Sequence, residues 1–452
     1  MSQQNANEQN QMEVVEPKPN QNQVDVAGAI APNGEPQPEV FKLDTDCWDD
    51  VFDCLSLKDV HSFGQTCKAF QRVTGAYFQW KYEAVSVRCF RNEAYIGNDR
   101  VDGFIKFAKK VQFYRTLPYA GSDFESVKQI SFIHVDLHKW DINSMNVLSK
   151  VERLELQDCK FDGNILGALI ESCVNLKRLE FWAIASFNWS LQNHPTLQHL
   201  ALNGHITFRN DQLKDSLENN PNIRSLQITA KLLWETRDSI LNSDVELDDL
   251  AIVLSDNSND DILSLLTDLH GRGFYRRLHL RSYRVPPVDR LLSLQGLVAL
   301  YFSPIFFRGE KIELPPLVNI RELGFYVHWG TSRNNGVNTI ALASRLMNLE
   351  RLFIARPNFE DLLPFIRRSI NLKYVEIYLF KGKVLEIYAL NKERKKVEGA
   401  RKVTIYVDED VYLATKSAKA ETLLGLIEIK RKESHYIVRP HNFWRPFRPI
   451  YF

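Results

Sequence analysis

The sequence of 452 residues lacks several features that would place it in a specialised class of protein. It has no uninterrupted run of about 18 apolar residues, which a membrane-spanning helix requires, and its amino terminus lacks the basic and then apolar pattern of a signal peptide. It also lacks an excess of either charge, since 57 basic and 56 acidic side chains leave a formal net charge of +1. These absences predict a cytoplasmic or nuclear protein with no membrane partner and no overall attraction for nucleic acid.

Cysteine is scarce: the chain has six, all within the first 173 residues, and none forms a Cys-x-x-Cys pair. Disulfides and a zinc knuckle are therefore not expected. His134 and His138 are four residues apart, but no third ligand follows at a suitable spacing, and the alternation around them favours a strand. The sequence thus predicts no metal site and no cofactor, and it contains no coherent set of catalytic residues.

The first 40 residues contain no aromatic side chain, although aromatic residues make up 11% of the chain. They contain seven Gln, six Asn and five Pro, a composition that cannot bury enough apolar surface to offset the entropy lost on ordering. We therefore predict that residues 1–40 form a disordered tail. The prolines leave a second role open, as the ligand of a proline-binding domain.

Residues 41–82 differ sharply and carry the spacing of short amphipathic helices. Apolar residues at i, i+3, i+4 and i+7 form the first stripe, at Trp48, Val51, Phe52 and Leu55. This spacing places them on one face of a helix, which Thr45 is expected to cap. A second helical stretch follows, with its apolar residues at Val60, Phe63, Gly64, Cys67, Phe70 and Val73. Two such helices bury little by themselves, so we predict a small helical module that needs a partner surface.

From residue 127 onward the sequence repeats itself. Each repeat has apolar residues at its first, fourth and sixth positions, here called the anchors, and twelve repeats follow at a mean spacing of about 25 residues. The first anchors are Val127, Val151, Leu176, Leu197, Ile223, Leu247, Tyr275, Leu297, Ile320, Leu349, Leu372 and Ala400. Three buried anchors contribute about 5–9 kcal/mol, whereas ordering about 25 residues costs several times more. No repeat is therefore expected to fold without its neighbours.

The connections between the anchors have helical character at 165–171, 211–218, 262–269, 337–344 and 359–368. A strand at the anchors and a helix in the connection predict an α/β solenoid. The spacing lies within the range of leucine-rich repeats, which form a horseshoe with strands inside and helices outside.

Residues 42–82 resemble an F-box, the short helical module that opens many ubiquitin-ligase receptors. The corresponding positions are Leu43 at the opening, Val51, Phe52 and Leu55 in the first helix, Leu57 and Val60 in the link, Cys67 and Phe70 in the second stretch, and Trp80 as the closing aromatic. Asp44 stands where the family usually has Pro, and Phe70 where it usually has Trp. The combination of an F-box with leucine-rich repeats after it indicates a protein family more specifically than either part does alone.

The resemblance implies a substrate receptor of an SCF-type cullin–RING ubiquitin ligase. The F-box residues, together with Trp48, would bind the Skp adaptor, and the repeats would hold a protein substrate for ubiquitination and proteasomal degradation. The cullin and RING subunits and a ubiquitin-conjugating enzyme would carry out the transfer, so this chain is expected not to be an enzyme. The competing class is a leucine-rich-repeat scaffold or adaptor outside a ligase, associated with RNA.

The predicted organisation has five parts. They are the tail (1–40), the F-box (41–82), a linker and amino-terminal cap (83–126), about twelve leucine-rich repeats (127–429), and a basic, aromatic tail (430–452). The last part has six basic residues against one Glu, interleaved with six aromatic residues. This composition suits either a segment that caps the solenoid or folds back along it, or a nucleic-acid contact. We favour the capping role over the nucleic-acid contact, because a capping segment fits a solenoid better.

Strand alternation predicts where a substrate binds. The third, fifth and seventh positions of each repeat point away from the anchors and line the concave face. Aromatic residues are concentrated there in the last five repeats, and the predicted substrate-binding set is Tyr301, Tyr326, Phe353, Tyr374, Tyr378, Tyr406 and, further back, Trp182. Rings on a polar surface are typical of binding hot spots. Two alternatives stay open: the chain's own tail covers these rings, or the register is off by one residue in some repeats.

Overall fold

The computed structural model describes the central part of the chain. The described ranges are 43–83, 85–91, 93–97, 99–118, 124–141, 146–182, 191–203, 211–254, 260–282, 288–302, 316–326, 338–378, 380, 382, 384–418 and 425–432. The predicted tail at 1–40 and all but the first three residues of the tail at 430–452 lie outside them. The chain divides into two compact units, Met1–Ser56 and Leu57–Phe452.

The first unit contains helix α1 (Thr45–Asp53). The prediction that Thr45 caps this helix is wrong, because the N-cap is Asp44, one residue earlier. The backbone of Asp44 is extended, and its Oδ1 accepts a hydrogen bond from the N–H of Cys47 at 2.8 Å. A carboxylate also suits the positive end of the helix dipole. The rings of Trp48 and Phe52, one turn apart, stack at 5.4 Å.

The second unit opens with α2 (Leu57–Gly64) and α3 (Lys68–Lys81), where the sequence pattern predicted one helical stretch. The break falls before Cys67, whose backbone is extended and whose Sγ accepts from the N–H of Phe70 at 3.5 Å. The two helices approach closely at Gly64, where a Cβ would lie 2.4 Å from Oγ1 of Thr74. The turn therefore allows α3 to pack back onto α2.

One sheet of 17 strands makes up most of the described second unit. The strands are β1 (Ser86–Phe90), β2 (Glu93–Ile96), β3 (Asp99–Arg100), β4 (Lys110–Tyr114), β5 (Gln129–Ile133), β6 (Arg153–Gln157), β7 (Arg178–Trp182), β8 (His199–Asn203), β9 (Ser225–Thr229), β10 (Leu247–Leu254), β11 (Tyr275–Ser282), β12 (Leu297–Phe302), β13 (Glu322–Tyr326), β14 (Arg351–Ala355), β15 (Tyr374–Tyr378), β16 (Val403–Val407) and β17 (Ile427–Arg431). The first three pair antiparallel. β1 then pairs parallel with β4, and parallel pairing continues strand by strand to β17. The sheet is not closed into a barrel.

Within the described ranges, α-helices lie in nine of the connections between parallel strands. They are α4 (Gly163–Ser172), α5 (Gln212–Glu218), α6 (Ala230–Glu235), α7 (Arg237–Leu241), α8 (Asp260–Gly271), α9 (Val288–Ser293), α10 (Thr339–Arg345), α11 (Phe359–Arg368), α12 (Ile387–Lys395) and α13 (Glu409–Ala418). All five helical segments predicted from the sequence are confirmed within a few residues. α11 begins at a full capping box, in which Asn358 and Asp361 exchange two side-chain to backbone hydrogen bonds. This arrangement satisfies two N–H groups that the helix itself leaves without acceptors.

The anchors form the core, as the repeat pattern predicts. Every anchor of the twelve repeats is buried except Ala400, which is half-buried. The central anchors of neighbouring repeats also pair directly across the sheet, as with Ile130 and Leu154, and Leu154 and Leu179. Each repeat therefore buries its apolar face against the repeat before it and the repeat after it.

The pairing departs from a uniform repeat at two places. Leu280 is opposite Leu300, and Val375 is opposite Ile405, so a sixth-position anchor meets a fourth-position anchor at both junctions. From His279 onward at the first junction, and throughout the second, the shift is two residues, and an even shift keeps the anchors on the same face. At the first junction an irregularity between Leu278 and His279 precedes it, since Leu278 is opposite Leu297. The parallel ladder also begins before the first repeat recognised in the sequence, since Val111 of β4 pairs with Ile130. Within the described ranges, no helix has the length and apolar character needed to cross a membrane.

Candidate protein-binding surfaces

Helix α1 divides its apolar residues between the interior and the surface. Phe52 and Trp48 are buried, with 0% and 3% of their surface exposed, whereas Val51 and Leu55 are 43% and 39% exposed. Leu43, just before the helix, is exposed as well. Trp48 and Phe52 share a face of α1, because residues four apart in a helix do so, whereas Val51 lies on a neighbouring stripe and Leu55 lies two residues beyond the end of the helix. The first unit therefore presents an apolar surface at three of the positions predicted to bind an adaptor.

The predicted adaptor-binding residues of the second unit divide in the same way. Leu57 and Val60 of α2 are buried. Phe70 is half-buried, and Cys67 is exposed but serves as the cap of α3. Trp80, in the last turn of α3, is 52% exposed. Its ring meets that of Tyr77 edge-on at 5.8 Å, and Nζ of Lys81 lies 5.1 Å from the ring centroid. These contacts hold the Trp80 ring while leaving it accessible.

His61 is a structural residue of this region that the sequence pattern did not indicate. Its Nε2 accepts a hydrogen bond from the backbone N–H of Gly103 at 3.0 Å, and its ring packs edge-on against Phe104 at 5.1 Å. Accepting that bond requires a neutral imidazole. Burial, the largest influence, also lowers the pKa of His61. His61 thus fastens α2 to the segment that precedes β4.

The third, fifth and seventh positions of the repeats lie on the face of the sheet opposite the anchors, here called the polar face. Many of its charged groups are buried and paired. Oε1 of Glu180 lies 2.5 Å from Nη2 of Arg153 and 2.5 Å from Nε of Arg178. The indole N–H of Trp182 donates to the other oxygen of Glu180 at 3.1 Å. One carboxylate therefore joins side chains from two neighbouring strands.

Histidines contribute to the same face. Nε2 of His279 lies 2.9 Å from one oxygen of Asp249, and Arg277 lies 2.6 Å from the other. Burial opposes ionisation of Asp249, but the hydrogen bond from His279 and the nearby positive charge prevail and lower its pKa. On β8, Nδ1 of His199 lies 2.8 Å from Oγ of Ser225. Burial, followed by the charge of Arg178, places the pKa of His199 well below its usual value.

Three of the predicted substrate-binding rings form one packed cluster on the polar face. Tyr301, Phe353 and Tyr378 are exposed by 3% or less and pack with Ala299 and Ala355.

The Tyr301 and Phe353 rings meet at a centroid distance of 5.8 Å although β13 lies between their strands. Gly324 occupies the paired position on β13, and its lack of a side chain leaves room for the contact. The hydroxyl of Tyr301 also donates to Glu322 at 2.7 Å.

The other predicted rings are more accessible. Tyr374, Tyr406 and Trp182 are half-buried on the polar face. The backbone of Tyr326 ends β13, and its side chain lies outside the described part of the structure. The register of the described strands places these positions opposite the anchors, as the sequence pattern predicted. The polar face therefore combines a buried aromatic cluster with partly exposed rings on the strands beside it.

The end of the sheet carries one buried cation. Nζ of Lys432 lies 3.4 Å from Asp408 and over the ring of Tyr378. Burial lowers the pKa of Lys432, and the charges of Asp408 and Glu376 counteract part of that effect.

Among the described residues, no group of three His, Cys, Asp or Glu side chains is arranged to hold a metal ion. No protein-family model and no curated protein matches this chain.

Proposed function

We propose that the chain is the substrate-recognition subunit of an SCF-type cullin–RING ubiquitin ligase. Its amino-terminal helices act as an F-box that binds the Skp adaptor. The repeats form a leucine-rich-repeat solenoid that binds a protein substrate and promotes its ubiquitination and proteasomal degradation. The chain itself contributes no chemistry in this proposal. It raises the local concentration of substrate lysines near the charged conjugating enzyme held by the RING subunit.

The observation that carries the proposal is the exposure of apolar side chains at F-box-like positions. Val51 on α1, Leu55 just after that helix, and Trp80 on α3 are large apolar groups in contact with solvent. Burying each in an interface contributes on the order of 1.5–3 kcal/mol. Rings and aliphatic side chains of this kind are the usual anchors of protein interfaces.

The test is adaptor binding by purified full-length protein. Two variants remove the exposed anchors, the double change Val51→Asp with Leu55→Asp and the single change Trp80→Asp. We expect each to weaken binding of recombinant Skp adaptor at least about 100-fold, since a buried unpaired charge replaces an apolar contact. Phe52 is unsuitable for this purpose, because it is buried and its replacement by a charge would disturb folding.

A matched control has the same chemical change elsewhere. Val174→Asp with Met347→Asp alters two exposed apolar residues outside the amino-terminal helices, and we expect it to bind adaptor like the wild type. All variants should keep the wild-type melting temperature within a few degrees. A wild-type chain that captures neither Skp nor cullin, or exposed-anchor variants that bind normally, would refute the ligase function and favour a repeat scaffold.

Substrate recognition is assigned to the polar face through its accessible rings. Tyr374 and Tyr406 are half-buried, so their replacement by Ala should weaken substrate capture while leaving adaptor binding unchanged and costing only about 1 kcal/mol of stability per residue. Capture of ubiquitinated proteins under proteasome inhibition, compared between wild type and the double variant, measures this effect.

A further inference from the structure

Three consecutive repeats expose an apolar residue at the same place. Val318, Met347 and Ile370 are 53%, 61% and 39% exposed, and each lies two residues before the first anchor of its repeat. The register of β13, β14 and β15 makes the three positions equivalent. They therefore form one row where these strands begin, here called the rim stripe.

Each residue of the rim stripe occupies the same kind of turn. The N–H of the first anchor donates to the carbonyl three residues earlier, at 3.2 Å for Ile320, 3.3 Å for Leu349 and 3.0 Å for Leu372. This bond closes a four-residue β-turn. The stripe residue is the second residue of the turn, and an asparagine is the third.

The turn itself does not require an apolar side chain. In five other repeats the first anchor makes the same hydrogen bond. The second residues of those turns are Ser149, Val174, Pro195, Pro221 and Glu398. A single exposed apolar residue such as Val174 is ordinary, whereas apolar residues in three adjacent repeats form a continuous surface, which is typical of an interaction site.

Hydrogen bonds between the repeats hold the rim stripe in place. Nδ2 of Asn348 donates to the carbonyl of Val318 at 2.9 Å, and Nδ2 of Asn371 donates to Oδ1 of Asn348 at 3.4 Å. The backbone N–H of Glu350 also donates to the carbonyl of Arg321 at 2.8 Å. The stripe residues are therefore fixed at the spacing of the strands, about 4.8 Å per repeat.

This spacing favours a helix over an extended peptide as the occupant. Side chains on one face of an α-helix recur about every 5.4 Å, so three of them span about 11 Å. Alternate side chains of an extended strand recur about every 6.8 Å, and three of them span about 14 Å. The rim stripe spans about 10 Å by the strand spacing, so a helix laid across the three repeats fits it better.

The charges beside the rim stripe favour an acidic partner. Arg345 and Arg368 are exposed, and each lies two residues before a stripe residue, at the end of α10 and of α11. Among the described residues, no carboxylate lies within 4.0 Å of either guanidinium, and Arg368 makes one 3.5 Å hydrogen bond to a backbone carbonyl of α10. Arg321 and Lys373, by contrast, both pair with Glu350, at 3.3 and 2.7 Å. The excess charge is therefore positive.

We propose that the rim stripe is the docking site for an amphipathic helix of a partner protein, with apolar residues at i, i+3 or i+4, and i+7 and acidic residues beside them. A second copy of this chain would present the same positive charges to each other, which is unfavourable. A membrane surface needs a larger cationic cluster. The site lies outside the polar face and the amino-terminal helices, so it goes beyond the proposed function and does not depend on it.

The experiment uses purified full-length protein without any ligase subunit. The probes are two immobilised pools of amphipathic helical peptides that share the same degenerate apolar positions. One pool has glutamate and the other has lysine at every flanking position. We expect the wild type to be retained on the glutamate pool at least tenfold more than on the lysine pool. Val318→Ser combined with Met347→Ser and Ile370→Ser should reduce that retention at least tenfold.

Two further variants separate binding from folding. Arg345→Glu with Arg368→Glu should reverse the preference, so that the lysine pool retains the protein better. This gain on the second pool cannot come from unfolding. Val174→Ser is the matched control, because Val174 occupies the same turn position in another repeat, and it should bind like the wild type. All variants should melt within a few degrees of the wild type, since the changed side chains are exposed.

Undiminished retention of the triple serine variant, or equal retention of the wild type on both pools, would overturn the proposal. Dimerisation of the wild type that the triple variant abolishes would assign the rim stripe to a second copy instead and would also overturn it. So would binding to phosphatidylserine vesicles that depends on the stripe when peptide binding does not. Because no adaptor is present, failure here is distinct from failure of the adaptor test.

Discussion

Nη1 of Arg394 donates a hydrogen bond to the carbonyl oxygen of Ser369 at 2.8 Å, which joins α12 to the end of α11. Arg394 is fully buried, and its five N–H groups find five backbone acceptors. The other acceptors are the carbonyl oxygens of Ile366, Ile370, Leu372 and Arg401. A cation is also favourable at the negative end of a helix dipole. One side chain thereby holds together the connections on both sides of β15.

We therefore expect Arg394→Lys to lower the free energy of unfolding by about 3 kcal/mol or more. Lysine has three hydrogen-bond donors where arginine has five, and they are arranged differently. The substitution therefore leaves several buried carbonyl groups without partners. Urea denaturation followed by circular dichroism measures the effect. Lys395→Met is the control, since Lys395 is exposed on the same helix, and it should change stability by less than about 0.5 kcal/mol. A similar small loss for Arg394→Lys would show that the hydrogen bonds contribute little.

Stability should fall below pH 6.5 because two buried histidines are neutral in the folded protein. Burial lowers the pKa of His199 and of His61, whereas both titrate near 6.5 in the unfolded chain. Their contribution is complete above that pH and is lost as the pH falls towards the folded-state values. The loss is up to about 1.4 kcal/mol per pH unit for each histidine.

Urea unfolding at pH 7.5, 6.5 and 5.5 tests this dependence. His199→Gln should be less stable than the wild type at pH 7.5 but lose less stability on acidification. An unchanged slope in His199→Gln would assign the pH dependence to other groups.

The aromatic cluster should behave as core. Phe353→Ala is expected to cost about 3–5 kcal/mol, because Phe353 is buried against Tyr301 and no neighbour fills the space. Tyr374→Ala, on the next strand and half-buried, should cost about 1 kcal/mol. Thermal and urea denaturation compare the two variants. Equal losses would mean that the polar face is more open than the packing indicates.

Replacing Cys67 by Ser should stabilise α3 by about 0.5–1 kcal/mol. A thiol is a weak acceptor, whereas the serine hydroxyl is among the preferred N-caps, and the bond from Phe70 is long at 3.5 Å. The melting temperature measures the change. Cys54→Ser is the control, since Cys54 is exposed and follows the end of α1. An unaltered melting temperature in Cys67→Ser would indicate that the cap adds nothing.

Several differences between the expectation and the structure have a common cause. Trp48 and Val51 both satisfy the helical spacing, yet one is buried and the other is exposed. Cys67 also fits the spacing, yet it interrupts the helix and caps the next one. Periodicity indicates which residues share a face of a helix, but it does not indicate how wide a part of that face is covered by other elements.

The sequence by itself determined the twelve anchor strands β5–β16, five of the connecting helices and the buried anchors, because each repeat carries the same local pattern and each pattern is satisfied by the same neighbour contacts. Tertiary structure alone decided the two-residue shifts at Leu300 and Ile405 and the contact of Tyr301 with Phe353 across Gly324. These features depend on which residues become adjacent across strands some 20–30 residues apart in the chain. Local periodicity carries no information about that adjacency, since hydrogen bonding and packing between repeats establish it only when the sheet forms.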